Sequence, residues 1–160
     1  MSELAAGGLA PAFQVPAVTR SGETQLSLSD YHGKSSVVLY FYPKDDTPGC
    51  TTEAFHFRDL LPQFEAAGSV ILGISPDDQV SHVKFAASHA LPFPLLADTG
   101  HAVADAYGVW KEKTNYGKTY WGIERTTFVI DKAGKIAKIY PRVKVEDHVR
   151  KVLGFVQTLS

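Results

Sequence analysis

At 160 residues, with 44% hydrophobic and 21% charged side chains and a formal charge of −1, the chain has the composition of one soluble globular domain spanning 1–160. That charge gives no reason to expect nucleic acid or an anionic membrane as partner, and no apolar run approaches the roughly 20 residues of a membrane span. The opening MSELAAGGLA lacks the basic and long apolar regions of a secretory signal and reads as a flexible tail over residues 1–8, while a single cysteine excludes an intramolecular disulfide and fits a reducing cytoplasm.

Taken in order, Phe13 and Val15, a Ser21-Gly22 turn, then Leu26 and Leu28 predict an N-terminal β-hairpin. Ser29, Asp30 and Gly33 predict one capped helical turn. The run SVVLYFY, residues 36–42, suits a central strand buried on both faces. A helix follows Cys50 with Ala54, Phe57, Leu61 and Phe64 inward and a stop near Gly68, and Pro62 is expected to kink it or end its first part. SVILGIS, residues 69–75, predicts a second buried strand. Asp77 and Asp78 open a helix through His89 with the apolar Val80, Val83 and Ala87 on one face. A short strand over 93–96 and a short helix over 101–107, closed by Gly108, come next. The polar stretch KEKTNYGK, residues 111–118, reads as a surface loop. Residues 125–131 and the strand IAKIY form a β-hairpin, and 146–159 an amphipathic helix presenting Val149, Val152, Leu153 and Val156. Alternating β and α units imply an α/β class: a central mixed sheet flanked by helices, in a thioredoxin-like fold with an N-terminal hairpin extension.

The chemistry gathers after the first central strand. Cys50 falls on a loop or first helical turn, where unpaired N–H groups and the helix dipole favour a thiolate. A thiol of ordinary acidity is only a few per cent ionised at pH 7, so full ionisation gains only about 30-fold, or roughly 2 kcal/mol. Most of a large acceleration must come from polarising the electrophile. Thr47, three residues upstream, can offer its hydroxyl to the sulfur or to a substrate oxygen. Pro43 supplies a rigid wall without a backbone donor. Arg125 opens a later strand and brings several fixed donors with permanent charge. Glu53, one helical turn past Cys50, is placed to orient that arginine.

Pro43-xxx-Thr47-xx-Cys50 resembles the active-site signature of peroxiredoxins, and FYPKDDTPGCTTEAF most resembles the bacterioferritin-comigratory, or peroxiredoxin Q, subfamily. The similarity extends through VILGISPDD, FPLLAD and GIERTTFVID. The resemblance implies a thioredoxin-fold thiol peroxidase needing no metal, flavin or haem. Cys50 attacks the O–O bond of hydrogen peroxide or an organic hydroperoxide and becomes a sulfenic acid. Cys50, Thr47 and Arg125 are then catalytic, and Pro43 and Glu53 bind substrate. The reductant it implies is an external thiol such as thioredoxin, glutaredoxin or glutathione, and a monomer is expected. Subfamily members often carry a resolving cysteine five residues after the first, or in the next helix. This chain has Phe55 at the former position and Phe85-Ala86-Ala87 around the latter, and no second cysteine. Either an outside thiol reduces the sulfenic acid, or a resolving cysteine has been replaced, with Ala86 the leading position.

Other readings weigh less. A lone cysteine is ordinarily a small buried hydrophobe, but the proline, threonine and arginine around it argue otherwise. The six histidines lack metal-ligand spacing, and His56 is expected at the surface. The three Gly-Lys pairs lack the upstream glycine of a phosphate loop. No histidine base can be named for a cysteine hydrolase, and no CxxC is present for a disulfide oxidoreductase. A non-enzymatic peroxide sensor or binding module is the alternative, marked by stoichiometric rather than catalytic oxidation. Tyr42, Trp110, Tyr116, Tyr120 and Trp121 are candidates for an aromatic rim or for packing.

Overall fold

The computed structural model describes residues 4–159. Its centre is a seven-stranded mixed sheet in the spatial order Gly22–Ser27, Gln14–Thr19, Leu95–Ala97, Ser69–Ser75, Ser36–Phe41, Thr126–Ile130 and Ile136–Tyr140. β1 (Gln14–Thr19) and β2 (Gly22–Ser27) form the expected hairpin, followed by a 3-10 turn, Leu28–Tyr31, with Asp30 accepting the N–H of Ser27 at 3.0 Å. β3 (Ser36–Phe41), β4 (Ser69–Ser75) and β5 (Leu95–Ala97) run parallel. β8 (Thr126–Ile130) pairs antiparallel with β3, and β9 (Ile136–Tyr140) with β8. All six residues of β3 are buried, as its uninterrupted apolar run requires of a strand covered on both faces.

One face of the sheet packs Val38, Tyr40, Ile71 and Val129 against α1 (Pro48–Ala66), α2 (Gln79–His89) and α4 (His148–Val156). The other packs Val37, Leu39, Phe41 and Phe128 against α3 (Ala102–Ala106) and the segment after it. The architecture is thus the α/β arrangement read from the sequence. The valine and leucine stripe of α4 faces inward as its spacing requires.

Several local expectations need correction. Pro62 does not end a helix, since α1 runs on to Ala66. Phe57 and Phe64, both fully buried, hold the helix to the sheet on either side of the proline. Pro62 itself is on the exposed face, so the carbonyl it leaves without an N–H partner can be hydrated. In α2 the packed face is not Val80, Val83 and Ala87. Val80 is 63% and Val83 42% exposed, Ala87 is also exposed, and His82 and Phe85 are buried instead. Fixed hydrogen bonds at both ring nitrogens of His82 set that rotation. The polar stretch 111–118 is not a loop. β6 (Trp110–Asn115) and β7 (Lys118–Ile123) form an antiparallel hairpin turning at Tyr116-Gly117, both with positive φ (53° and 76°). That pair is the two-residue geometry whose twist matches the strands. Residues 1–3 of the expected tail lie outside the described residues. Gly7 donates to the carbonyl of Ile136 at 2.7 Å, and Ile136 donates to that of Gly8 at 2.8 Å, so residues 7–8 are joined to the start of β9.

Tyr40 shows how tightly the layers meet beneath the cysteine. Its ring stacks on Phe57 at 4.5 Å, and a Cβ added to Gly73 of β4 would come within 2.9 Å of its Cζ and hydroxyl. Gly73→Ala is therefore expected to lower unfolding stability by about 1–3 kcal/mol through forced displacement of the ring. Urea denaturation checks this, and an unchanged midpoint would contradict it.

Candidate functional site

The site is built at the carboxyl end of β3, where the chain leaves the sheet and turns into α1. Thr47, extended at φ −93° and ψ 154°, is the N-cap residue, and Pro48 occupies the first helical position for which its ring is preset. Cys50 therefore sits in the first turn of α1. There the N–H groups of Gly49 and Cys50 have no intrahelical acceptor and, with the helix dipole, favour negative charge. The cysteine is 1% exposed.

Arg125 reaches this turn because of strand register. β8 lies antiparallel to β3 with Phe41 opposite Thr126, which sets Arg125 beside the start of the cysteine loop. Its Nη2 donates to Cys50 Sγ at 3.3 Å, and its Nη1 donates to Glu53 Oε1 at 2.6 Å. Glycine at position 49 makes room for it: a Cβ there would lie 3.2 Å from Nη2. Burial works against the guanidinium's charge, but Glu53 and Cys50 outweigh it and hold Arg125 above the usual arginine range. Glu53 is fully buried, and its second oxygen, Oε2, has no hydrogen-bond partner among the described residues. Burial pushes its carboxyl up to about 7, while the charge and hydrogen bond of Arg125 pull the other way.

The five residues singled out in the sequence fall into one loop and one neighbouring strand start, with different degrees of contact. Cys50, Arg125 and Glu53 are joined by hydrogen bonds. Thr47 makes no hydrogen bond to the sulfur among the described residues: its hydroxyl donates to the Lys44 carbonyl at 2.9 Å, leaving the oxygen's lone pairs for an incoming donor. Pro43 is half-buried at the head of the loop. Phe55 packs edge-on to His89 at 5.1 Å and under the Arg58 guanidinium at 4.6 Å. Ala86 is half-buried against the core beneath α1 and α2.

Sequence reasoning missed what fixes the loop. Asp45 is buried and receives the Tyr42 hydroxyl at 2.6 Å and the Ser81 hydroxyl at 2.8 Å, and His82 Nδ1 lies 2.6 Å from it. His82 Nε2 lies 2.8 Å from the carbonyl of Leu96, which can only accept, so that nitrogen carries a proton. One position on, Asp46 meets His89 at 3.3 Å. Two successive aspartates of the cysteine loop are thus held by two histidines of α2 lying two helical turns apart. The donor atoms of Asp45, Asp77 and His82 lie within 4.8 Å of one another. Both histidine nitrogens are already engaged, and Asp77 Oδ2 accepts from Ser75 and the Asp45 N–H. The cluster is a satisfied hydrogen-bond network. The expected aromatic rim also divides. Tyr42 is buried in this network, Trp110 stacks on His101 at 4.1 Å, and Tyr116, Tyr120 and Trp121 are exposed on the β6–β7 hairpin.

A protected cysteine in a helix first turn, faced by an arginine on a thioredoxin-like sheet, defines a class of thiol-based redox sites. Residues 6–139 match the AhpC/TSA family. The chain is 55% identical over 139 residues to peroxiredoxin Bcp of Bacillus subtilis, covering 87% of each chain. Its structure superposes on peroxiredoxin Q of Xanthomonas campestris with a TM-score of 0.88 at 40% identity, covering 96% of this chain and 98% of that one. A further structure is of the bacterioferritin comigratory protein of that organism, described for its alkyl peroxide reduction activity. It is 39% identical with a TM-score of 0.87, covering 96% and 98% of the two chains. The chain belongs to the AhpC/TSA family as a peroxiredoxin of the Bcp/peroxiredoxin Q group, an enzyme family of thiol peroxidases.

The raised Glu53 carboxyl has a consequence for stability. A group whose folded pKa lies above its unfolded value favours the protonated folded state, and that contribution is lost as pH rises from about 4.5 through about 7. Over this window wild-type stability should fall relative to Glu53→Gln, by up to about 1.4 kcal/mol per pH unit. Urea titrations of both proteins at several pH values read this directly. A difference that stays flat would show that Glu53 is an ordinary carboxylate.

Proposed function

We propose that the chain acts in the cytoplasm as a monomeric, single-domain peroxidase for hydrogen peroxide and organic hydroperoxides, contributing to redox homeostasis. The observation that carries the reading is the Arg125 guanidinium, bonded at once to Cys50 and Glu53. One nitrogen is fixed by a buried carboxylate and the other is aimed at the sulfur, so the positive charge is in place before substrate arrives. Such preorganised donors are worth about 100- to 1000-fold in rate.

In this reading the Cys50 thiolate attacks the terminal oxygen of the peroxide. An S–O bond forms as the O–O bond breaks, the sulfur loses two electrons, and the departing alkoxide or hydroxide takes a proton to leave as alcohol or water. Arg125 donates to the peroxide oxygens as charge moves from sulfur to the leaving group. Thr47, whose own proton is committed to the Lys44 carbonyl, accepts the hydrogen of the bound hydroperoxide. Glu53 contributes to substrate binding through the arginine it positions, and Pro43 walls the loop against water. The alkyl peroxide activity of the Xanthomonas relative supports including organic hydroperoxides. With one cysteine in the chain, the sulfenic acid is reduced from outside by a thiol such as thioredoxin, glutaredoxin or glutathione.

Cys50→Ser is expected to abolish thiol-dependent peroxide consumption. Intact mass spectrometry of the wild type after one equivalent of peroxide should show a single added oxygen, removed by added thiol. Turnover persisting in Cys50→Ser would contradict the reading.

A further inference from the structure

Two acids meet one base at the cysteine. The Arg125 guanidinium touches both, with Nη2 donating to Cys50 Sγ at 3.3 Å and Nη1 to Glu53 Oε1 at 2.6 Å. Cys50 is 1% exposed and Glu53 0%. With both acids ionised, a net negative charge would be held where almost no water reaches it. A buried group in that position neutralises instead. One guanidinium balances one anion, so the two acids share a proton and titrate as a pair.

Their surroundings decide which of them carries it. The sulfur belongs to the first turn of α1, whose N–H groups lack intrahelical acceptors and favour negative charge. Glu53 stands one turn further on, where the helix uses those groups itself. Its Oε1 has the guanidinium, while Oε2 is buried with no hydrogen-bond partner among the described residues. An ionised oxygen left without a donor costs more than the same oxygen protonated. Burial accordingly pushes the Glu53 carboxyl up to about 7 against the pull of Arg125.

The titratable groups packed around this trio leave the count unchanged. Tyr40 of β3 stacks on Phe57 at 4.5 Å, and burial holds its unpartnered hydroxyl well above the ordinary tyrosine range, so it is neutral. His148 of α4 packs edge-on to Phe57 at 6.5 Å, and burial, with Arg125 and Lys151, pushes it down to about 4, so it adds no cation at neutral pH. Asp45 in the cysteine loop is matched by Tyr42, Ser81 and His82. Glu124, next to Arg125 in sequence, and Lys113 of β6 add one charge of each sign, both outside the buried core.

We propose, resting on the peroxidase reading, that Glu53 holds the site's proton while Cys50 is a thiolate and gives it up when the sulfur is oxidised, so that the site stays neutral throughout. Before peroxide arrives the trio is thiolate, guanidinium and neutral acid. The thiolate attacks, the S–O bond forms as the O–O bond breaks, and the sulfur loses two electrons to the peroxide. A neutral sulfenic acid then replaces the thiolate, and Glu53 becomes the carboxylate that balances Arg125. The proton it loses is matched by the one the departing hydroxide gains to become water, and none is drawn from solvent. Reduction of the sulfur back to thiolate by the external thiol returns the proton to Glu53. Glu53 touches no reacting atom here; it is a positioning residue that acts through the charge of Arg125.

Infrared difference spectra of the full chain at neutral pH, before and after one equivalent of hydrogen peroxide, test this, with intact mass reporting the oxygen adduct on Cys50. Absence of the adduct would sink the peroxidase reading and the proposal with it. Once the adduct forms, the two stand apart. The C=O stretch of a protonated carboxylic acid should be present in the reduced protein, give way to a carboxylate signal on oxidation, and be missing from Glu53→Gln. A pH indicator in weak buffer should register no net proton uptake in the wild type and about one proton per oxidised Cys50 in Glu53→Gln. The wild-type spectra decide the matter by themselves if that variant does not fold. An S–H stretch in the reduced protein would overturn the proposal. So would an acid band that survives oxidation, or equal proton uptake in wild type and variant.

Discussion

One guanidinium, bonded on one side to a buried carboxylate and on the other to a sulfur, organises this molecule. Glu53 and Arg125 are 72 residues apart in sequence, and Arg125 and Cys50 are 75. They meet because β3 and β8 are antiparallel neighbours and α1 starts from the end of β3. The ion pair is a poor source of stability. Burial has already pushed the Glu53 carboxyl up to about 7, and one of its oxygens is without a partner. Buried pairs of this kind often contribute less than apolar residues of similar volume would. What the pair supplies is direction, holding Nη2 at the sulfur against the solvent that would otherwise claim it.

The same logic extends to the loop that carries Cys50. Lys44, Asp45 and Asp46 form an exposed-looking polar turn, yet Asp45 is buried and shares hydrogen bonds with Tyr42, Ser81 and His82. A network whose members are satisfied rigidifies its surroundings, whereas a half-satisfied one is costly. Here the satisfied network pins the loop to α2, and the half-satisfied carboxylate, Glu53, is bonded to the arginine that meets Cys50 Sγ. α2 thus serves as an anchor. It carries Ala86, half-buried against the core, next to Phe85, which packs on His89 at 5.2 Å.

Much of this was legible in the sequence because its signals are local. Uninterrupted β-branched and aromatic runs marked β3 and β4, and the spacing of Val149, Val152, Leu153 and Val156 marked α4. Pro43, Thr47, Cys50 and Glu53 lie within eleven residues, and their spacing announces a strand end, a turn and a helix start. Arg125 could be placed only because the strand after it was clear. What stayed hidden depends on contacts between distant segments. The rotation of α2 is decided by the carboxylate of Asp45 and the carbonyl of Leu96, which outweigh the two valines the helical spacing favoured. Gly49 looks like a turn residue until Arg125 is seen to need its space. The hairpin at 110–123 reads as a loop because its lysine face has no core to cover, and only the Tyr116-Gly117 turn hints at its strands.

Whether Glu53 acts on the cysteine through Arg125 is tested most directly by a double-mutant cycle on the rate of Cys50 oxidation by hydrogen peroxide. Glu53→Gln alone should slow oxidation by about tenfold, Arg125→Ala alone by about 100-fold, and the double variant no more than Arg125→Ala within about twofold. Losses that multiply across the two positions would mean that Glu53 and Arg125 act on the cysteine independently, contradicting the central claim.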